Sequence, residues 1–414
     1  MDGLKPLYGG LLKIPAPLEL SGNWCAHSCP YCFANLNAPT RTLDVKGVSK
    51  LLADYQNRNT IEGYLLRDGY PVIISNHIDP FSASNYRQMI PFMETMTDLG
   101  IPYSVQTKGG KGWEKVLEFM PIGVWYISIS YSDDETRKAI EPSAPPLEHR
   151  YELIEALISK GHTVIVGCNP CEPDWLLDPI PFFDNLKEIG VFGTWMENLH
   201  INSKQKQVMP ERDRKRLGED LIADCLKKKH SDPERKEFVE LCRDYVEAIG
   251  LENYSIANGR YSGFFDAYKM YPKLFPVVQQ FVNYAALSGR EFFTQREWVE
   301  FFIPLLPTFV TSQNYHYIDS NVRMCPEKAL GFKVPKNPTF ETILKCSLKS
   351  HNVPFSPTNK AAFSYAVDSN GDYLLDTDQM PLLCYNPDGW THRLIEYTNE
   401  EINEVDYVEI IRQQ

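Results

Sequence analysis

Apolar positions in the first half of the chain switch repeatedly between two periods. Residues 16–21 (Ala-Pro-Leu-Glu-Leu-Ser) alternate, which predicts a short strand. Val45, Val48, Leu51, Leu52 and Tyr55 recur at helical spacing and predict a helix over 43–57. Val72-Ile73-Ile74 reads as a compact buried strand. The same reasoning gives a helix over 85–99, strands at 102–106 and 124–129, and a helix over 147–160 ending near Gly161. A strand at 163–166, a helix at 180–189 and a strand over 193–201 complete the series. Strands and helices alternating at this interval imply a parallel sheet with right-handed crossovers. Six such units make an α/β fold of the partial (β/α)6 barrel type, where chemistry belongs at the C-terminal ends of the strands.

Beyond residue 202 the pattern changes. Residues 203–250 are rich in Lys and Arg (Lys204, Lys206, Arg212, Arg214, Lys215, Arg216, Lys227, Lys228, Lys229) with acidic residues interleaved. A solvated helical face is the usual cause, and a phosphate-tracking patch is the sharper alternative. Residues 254–304 are dense in aromatics at helical spacing, a core pattern first and a base-stacking one second. Thr294-Gln295-Arg296-Glu297 is a capping box that opens a helix. Phe363–Val367 and Tyr373–Leu375 flank Asp368-Ser369-Asn370-Gly371-Asp372, a hairpin signal. The expected organisation is a barrel over 1–202, then a mainly helical extension and cap over 203–414 with a small terminal β-hairpin.

Length and charge narrow the classes. At 414 residues the chain exceeds what one core usually supports. A net charge of −12 opposes loose, non-specific binding to nucleic acid but leaves room for a local basic groove. No apolar run is long enough to span a bilayer, and the first 20 residues lack the basic-apolar-small order of a signal peptide. Ten cysteines then read as cytosolic thiols or metal ligands, so a cytoplasmic location without membrane attachment is expected.

Three of those cysteines carry most of the information. They stand in Asn23-Trp24-Cys25-Ala26-His27-Ser28-Cys29-Pro30-Tyr31-Cys32-Phe33, spaced C-x3-C-x2-C with no fourth cysteine nearby. A [4Fe–4S] cluster usually takes four thiolates, so Cys25, Cys29 and Cys32 would leave one iron open. An open iron on a low-potential cluster can chelate S-adenosylmethionine (SAM) through its amine and carboxylate. It can then pass an electron that cleaves SAM to a 5′-deoxyadenosyl radical. Two other readings stay open: a zinc centre completed by His27, strained because His27 lies inside the loop, and a set of small buried thiols.

The loop resembles the signature of the radical SAM superfamily, including Tyr31 before the last cysteine and Phe33 after it. Further segments resemble its spore photoproduct lyase-like branch: Ser75-Asn76-His77-Ile78-Asp79-Pro80-Phe81, Gln106-Thr107-Lys108, Ser128-Ile129-Ser130, and Glu141-Pro142 with Arg150. The similarity covers roughly residues 15–200, and the later half of the chain resembles no named family.

The resemblance implies a [4Fe–4S] cluster and SAM as cofactors, and a flavodoxin- or ferredoxin-type electron donor. SAM's amine needs an acceptor, for which Asp79 or the backbone beside it, with Asn76 in the same turn, is a candidate. Its carboxylate needs a cation or hydroxyl, for which Lys108, Ser128 and Ser130 are candidates. Glu141 and Arg150 either form a buried pair that shapes the wall or touch SAM. Gly167 would permit close approach of the adenine. Tyr31, Cys168 and Cys171 are the candidates for radical chemistry, a cysteine being the hydrogen donor in the resembled lyase but on a different strand there. Cys168 and Cys171 could instead ligate a second cluster with Cys325, Cys346 or Cys384, or be ordinary thiols. The implied substrate is a thymine-like base or modified nucleotide, cleaved or rearranged. Alternatives are a peptide or small metabolite, and a non-catalytic zinc-binding interaction module.

Overall fold

The computed structural model describes residues 3–6, 16–34, 42–58, 60–227, 233–254, 267–271, 277–302 and 363–387. The chain divides into two compact units: Leu18–Ser255 with Met1–Lys5, and Ile256–Gln414 with Pro6–Pro17.

The first unit is built on one sheet in strict chain order. Its strands are β1 (Leu4–Pro6), β2 (Leu18–Leu20), β3 (Val72–Ile74), β4 (Tyr103–Thr107), β5 (Val124–Ser128), β6 (Thr163–Cys168), β7 (Gly193–Met196) and β8 (Glu252–Tyr254). Every pairing from β2 to β8 is parallel. The six predicted strands are β2 to β7, and the sheet adds an edge strand on each side. The strand expected over 193–201 stops at Met196, whereas the one expected at 163–166 runs on to Cys168.

Helices fill the crossovers: α1 (Val45–Asp54), α2 (Ile61–Arg67), α3 (Tyr86–Asp98), α4 (Trp113–Phe119), α5 (Asp134–Ile140), α6 (Leu147–Ser159) and α7 (Pro179–Ile189). Residues 203–254, which composition alone sets apart, contribute α8 (Ser203–Val208), α9 (Glu211–Leu217), α10 (Glu219–Cys225), α11 (Pro233–Ala248) and then β8. Their starts follow local chemistry. The Asp44 carboxylate accepts from Gly47 N–H at 3.0 Å to cap α1, Asp133 accepts from Thr136 N–H at 2.7 Å to cap α5, and Asn202 and Gln205 form a reciprocal box on α8. α2, α4 and α5 were not expected. Each has seven residues, two turns, which is too short for apolar periodicity to register.

Strand alternation sorts the sheet into two faces. Val105, Trp125, Ile127, Val164, Val166 and Thr194 lie on one face and are buried there. Gln106, Tyr126, Ser128 and Trp195 lie on the other and are only half-buried. Lys108, one residue past β4, continues that second row and is half-buried as well. Buried parallel strands normally show apolar residues on both faces, so the second face departs from core composition.

In the second unit, α12 (Val277–Ser288) and α13 (Gln295–Phe302) accompany an antiparallel sheet of order β10-β11-β9, with β9 Phe292–Phe293, β10 Phe363–Tyr365 and β11 Leu383–Tyr385. The capping box forms as expected: Glu297 N–H donates to Thr294 Oγ1 at 3.0 Å and Thr294 N–H donates to Glu297 at 2.6 Å. So does the hairpin, where Val367 bridges Tyr373 across a turn at Gly371 with φ of 87°. The aromatics pack as core, with the Phe281 ring 4.8 Å from Trp298 and 5.2 Å from Phe363. Tyr261, Phe264, Phe265, Phe275, Cys325 and Cys346 lie outside the described residues.

Candidate active site

The cysteine loop leaves the C-terminal end of β2 and is pinned to the start of α3. Asn23 N–H donates to Asn85 Oδ1 at 2.8 Å, Asn85 Nδ2 donates to Asn23 O at 3.2 Å, and Ala26 N–H donates to Ser84 Oγ at 3.1 Å. Within it, Ser28 N–H turns back to Cys25 O and Cys32 N–H to Cys29 O. Ser28 takes a left-handed φ of 50°, so the loop is tightly wound. Cys29 is buried, and Cys25 and Cys32 are half-buried. Burial pushes the Cys25 thiol up to about 12, helped by the Asp79 charge, and pushes Cys29 further, helped by Glu141. Each of these two thiols also feels the charge of Cys32.

Next to the loop stands a buried charge network. Glu141 accepts at Oε1 from Lys108 Nζ at 2.9 Å and from the Tyr31 hydroxyl, and at Oε2 from Arg150 Nη2 at 3.0 Å. Lys108 Nζ also donates to Ser128 Oγ at 2.9 Å, and Arg150 Nη1 donates to Ser128 O at 2.7 Å. Glu141 and Arg150 are fully buried. Burial alone would push the Glu141 carboxyl up, but the charges of Lys108 and Arg150 override it and hold the group well below the usual carboxylate range. Lys108 is raised: burial works against its charge, and Glu141 outweighs it. Two cations share one carboxylate, so the network carries one surplus positive charge.

Asp79 ties three segments together. Oδ1 accepts from Phe81 N–H at 2.9 Å and Thr107 Oγ1 at 2.8 Å, Oδ2 accepts from Lys108 N–H at 2.6 Å, and His27 Nε2 lies 3.2 Å from Oδ2. Its carboxylate is therefore committed to aligning the loops after β2, β3 and β4. Asn76 is exposed, and its backbone N–H donates to Glu19 Oε1 at 3.0 Å. Ser130 is buried, and its hydroxyl has no hydrogen-bond partner among the described residues. An orphaned buried hydroxyl beside a cation cluster suits a polar ligand.

Gly167 and the two later cysteines fall elsewhere than expected. A Cβ on Gly167 would lie 1.9 Å from Tyr126 Oη, so the glycine makes room for the Tyr126 phenol. Cys168 follows Gly167 by one residue and so takes the opposite face, with Tyr151 of α6 and Cys242 of α11 acting on it. Cys171 hydrogen-bonds Cys242. All three thiols are buried. The structure thus groups Cys168 and Cys171 with Cys242 against the helices and does not bring them to Lys108 and Ser128.

The sequence gave no hint of Trp175, whose ring sits 5.4 Å from Tyr31 and 5.5 Å from Tyr131 and walls the network. Tyr126 was findable, since it stands two residues before Ser128 and shares its face. Cys242 was findable too: Val239, Cys242, Arg243 and Val246 are a buried stripe at helical spacing inside a charge-rich stretch.

The donor chemistry fits an iron–sulfur cluster. Among the described residues no three His, Cys, Asp or Glu side chains converge on one point as ligands of a single metal ion, as a zinc centre completed by His27 would need. A cubane asks for something different, because each thiolate binds its own iron. Three thiols on one wound loop, raised by burial and by each other's charge, are released as thiolates only against a strong cationic partner.

A parallel α/β sheet with such a loop at one strand end, beside a cation-rich cluster at its neighbours' ends, defines a metallocofactor enzyme. Residues 20–169 match the family model described as the radical SAM superfamily, and the chain belongs to that superfamily. Among solved structures, it is similar to spore photoproduct lyase complexed with dinucleoside spore photoproduct, at 14% identity and a TM-score of 0.44 over 59% of this chain and 78% of that one. It is also similar to Streptococcus suis SuiB, at 12% identity and a TM-score of 0.39 over 57% of this chain and 47% of that one. No curated protein sequence matches the chain.

Proposed function

We propose that the protein cleaves SAM reductively and uses the resulting radical to take a hydrogen atom from a C–H bond of a thymine-like base or modified nucleotide, leading to bond cleavage or rearrangement. The observation that carries this is the surplus cation beside the thiol loop: Lys108 and Arg150 on a single Glu141, with the Ser128 hydroxyl within 2.9 Å of Lys108 Nζ. Bound there, the cluster and SAM supply a one-electron cleavage yielding the 5′-deoxyadenosyl radical.

The chain's own residues bind and orient. Cys25, Cys29 and Cys32 hold the cluster. Lys108 and Ser128 offer a cation and a hydroxyl to the SAM carboxylate, the Lys108 charge being secured by Glu141. Ser130 offers its unpartnered hydroxyl to a polar group such as a ribose. Asp79 keeps three loops in register, so the amine acceptor falls to the backbone beside it. Tyr31 and Trp175 exclude water from the network. The base-like substrate follows from the branch motifs at Asp79-Pro80, Thr107-Lys108, Ser128-Ile129-Ser130 and Glu141-Pro142. A flavodoxin- or ferredoxin-type protein would deliver the electron, in a reducing compartment such as the cytoplasm. Among the described residues no helix is long and apolar enough to cross a membrane.

Anaerobic reconstitution should load about four irons and four sulfides per chain. Dithionite and SAM should then give 5′-deoxyadenosine by chromatography, and Cys29→Ala should give none. Equal product from that variant ends the proposal.

A further inference from the structure

The face that carries Lys108 and Ser128 holds a second row of polar residues one step deeper. In that row Gln106 pairs with Tyr126, Tyr126 with Ile165, Ile165 with Gly193, and Gly193 with Glu252. Central strands of such sheets normally fill this position with packed branched aliphatics. Here two neighbours directly opposite each other are an amide and a phenol, both half-buried. Neither the Gln106 amide nor the Tyr126 hydroxyl has a hydrogen-bond partner among the described residues. A polar pair in the middle of a sheet, unsatisfied and not fully covered, is poor core material and good recognition material.

The glycines support this. Gly167 lets the Tyr126 hydroxyl lean up to the level of Ser128, and a Cβ on Gly193 would lie 2.8 Å from both Glu252 Cβ and Tyr254. Trp195, opposite Gly167, adds a half-buried indole on the same face. The row offers a flat aromatic edge, one amide and one hydroxyl, with Glu252 at its end and no cation. That chemistry favours a neutral planar ring with amide-type donors and acceptors over a phosphate.

We propose that Gln106 and Tyr126, flanked by Trp195, are specificity residues that read the amide edge of a planar ring in the substrate. The proposal rests on the reading of the protein as a SAM-cleaving enzyme acting on a base. The test is equilibrium dialysis of thymidine against the reconstituted, SAM-loaded full chain, with N3-methylthymidine as the edge-blocked probe. Gln106→Leu and Tyr126→Phe should each weaken thymidine binding about tenfold, while SAM binding measured in the same cells stays at the wild-type level. N3-methylthymidine should bind the wild type more weakly and lose nothing further in Gln106→Leu. The proposal is overturned if the wild type binds no thymidine, if both variants bind it normally, or if they lose SAM in parallel. Absence of 5′-deoxyadenosine from the wild type would end the functional reading instead, and thymidine dialysis would still decide the floor.

Discussion

Two buried charge networks in the first unit look alike and do different work. At the strand ends, Glu141 is shared by Lys108 and Arg150. Behind the sheet, Arg235 of α11 forks onto Glu172 at 2.6 and 2.7 Å and also pairs with Asp224, which in turn meets Lys227 at 3.3 Å. Glu172 further accepts from Leu199 N–H at 2.7 Å. The second network closes on itself: two cations, two carboxylates, each donor used. The first keeps one positive charge in excess beside an orphaned hydroxyl. Burial costs both networks desolvation. Only the first leaves an unmet charge, and an unmet buried charge is what a binding site needs and a structural latch avoids.

The largest expected effect comes from breaking the first network at its centre. Glu141→Ala would leave Lys108 and Arg150 buried without their shared partner. Chemical denaturation of the apoprotein should show a loss of about 3–5 kcal/mol. A loss under about 1 kcal/mol would mean that the cluster is solvated and the comparison is wrong.

Arg235→Met tests the other side. It strands Glu172 and Asp224, and the expected loss is about 3 kcal/mol, with SAM affinity unchanged at a temperature where the variant stays folded. A weaker SAM affinity in that variant would show that the latch is part of the site.

Lys108→Met sharpens the contrast from the site side. Arg150 still pairs Glu141, so stability should fall less than in Glu141→Ala, while SAM affinity measured by dialysis should drop about 10- to 100-fold through the lost charge-assisted bonds. Stability falling with affinity unchanged would assign Lys108 to the scaffold.

Acid titration should give the smallest difference. The Glu141 carboxyl is held below its ordinary value by Lys108 and Arg150, so its contribution is complete above the normal carboxylate range and is lost as pH falls through the lowered folded value. Glu19 behaves the same way: burial pushes it up, and the hydrogen bond and charge of His77 bring it below normal. Urea midpoints should therefore decline below about pH 4, and Glu141→Gln should decline less steeply. An identical slope in that variant would place the acid lability elsewhere.

Much of this site was readable before any fold was known, and the reason is locality. The cysteine spacing, the strand β3 at Val72–Ile74 and the box at Thr294–Glu297 are each encoded within a dozen residues, where backbone propensity and side-chain period act directly. Trp175 was invisible because its contacts to Tyr31 and Tyr131 span long stretches of chain. The assignment of Cys168 to the site failed because one residue along a strand reverses the face, and proximity in sequence to Gly167 says nothing about which side a thiol takes.

The chain's own order of residues determined the parallel strands, the three-thiol loop and the need for a cationic pocket near it, since all three follow from short-range patterns and the valence of iron. Tertiary packing alone decided that Asp79 is a brace, that Tyr126 fills the space beside Gly167, and that Cys168, Cys171 and Cys242 meet behind the sheet. Those outcomes depend on strand register and helix docking, which are collective properties of the packed molecule and are carried by no single segment.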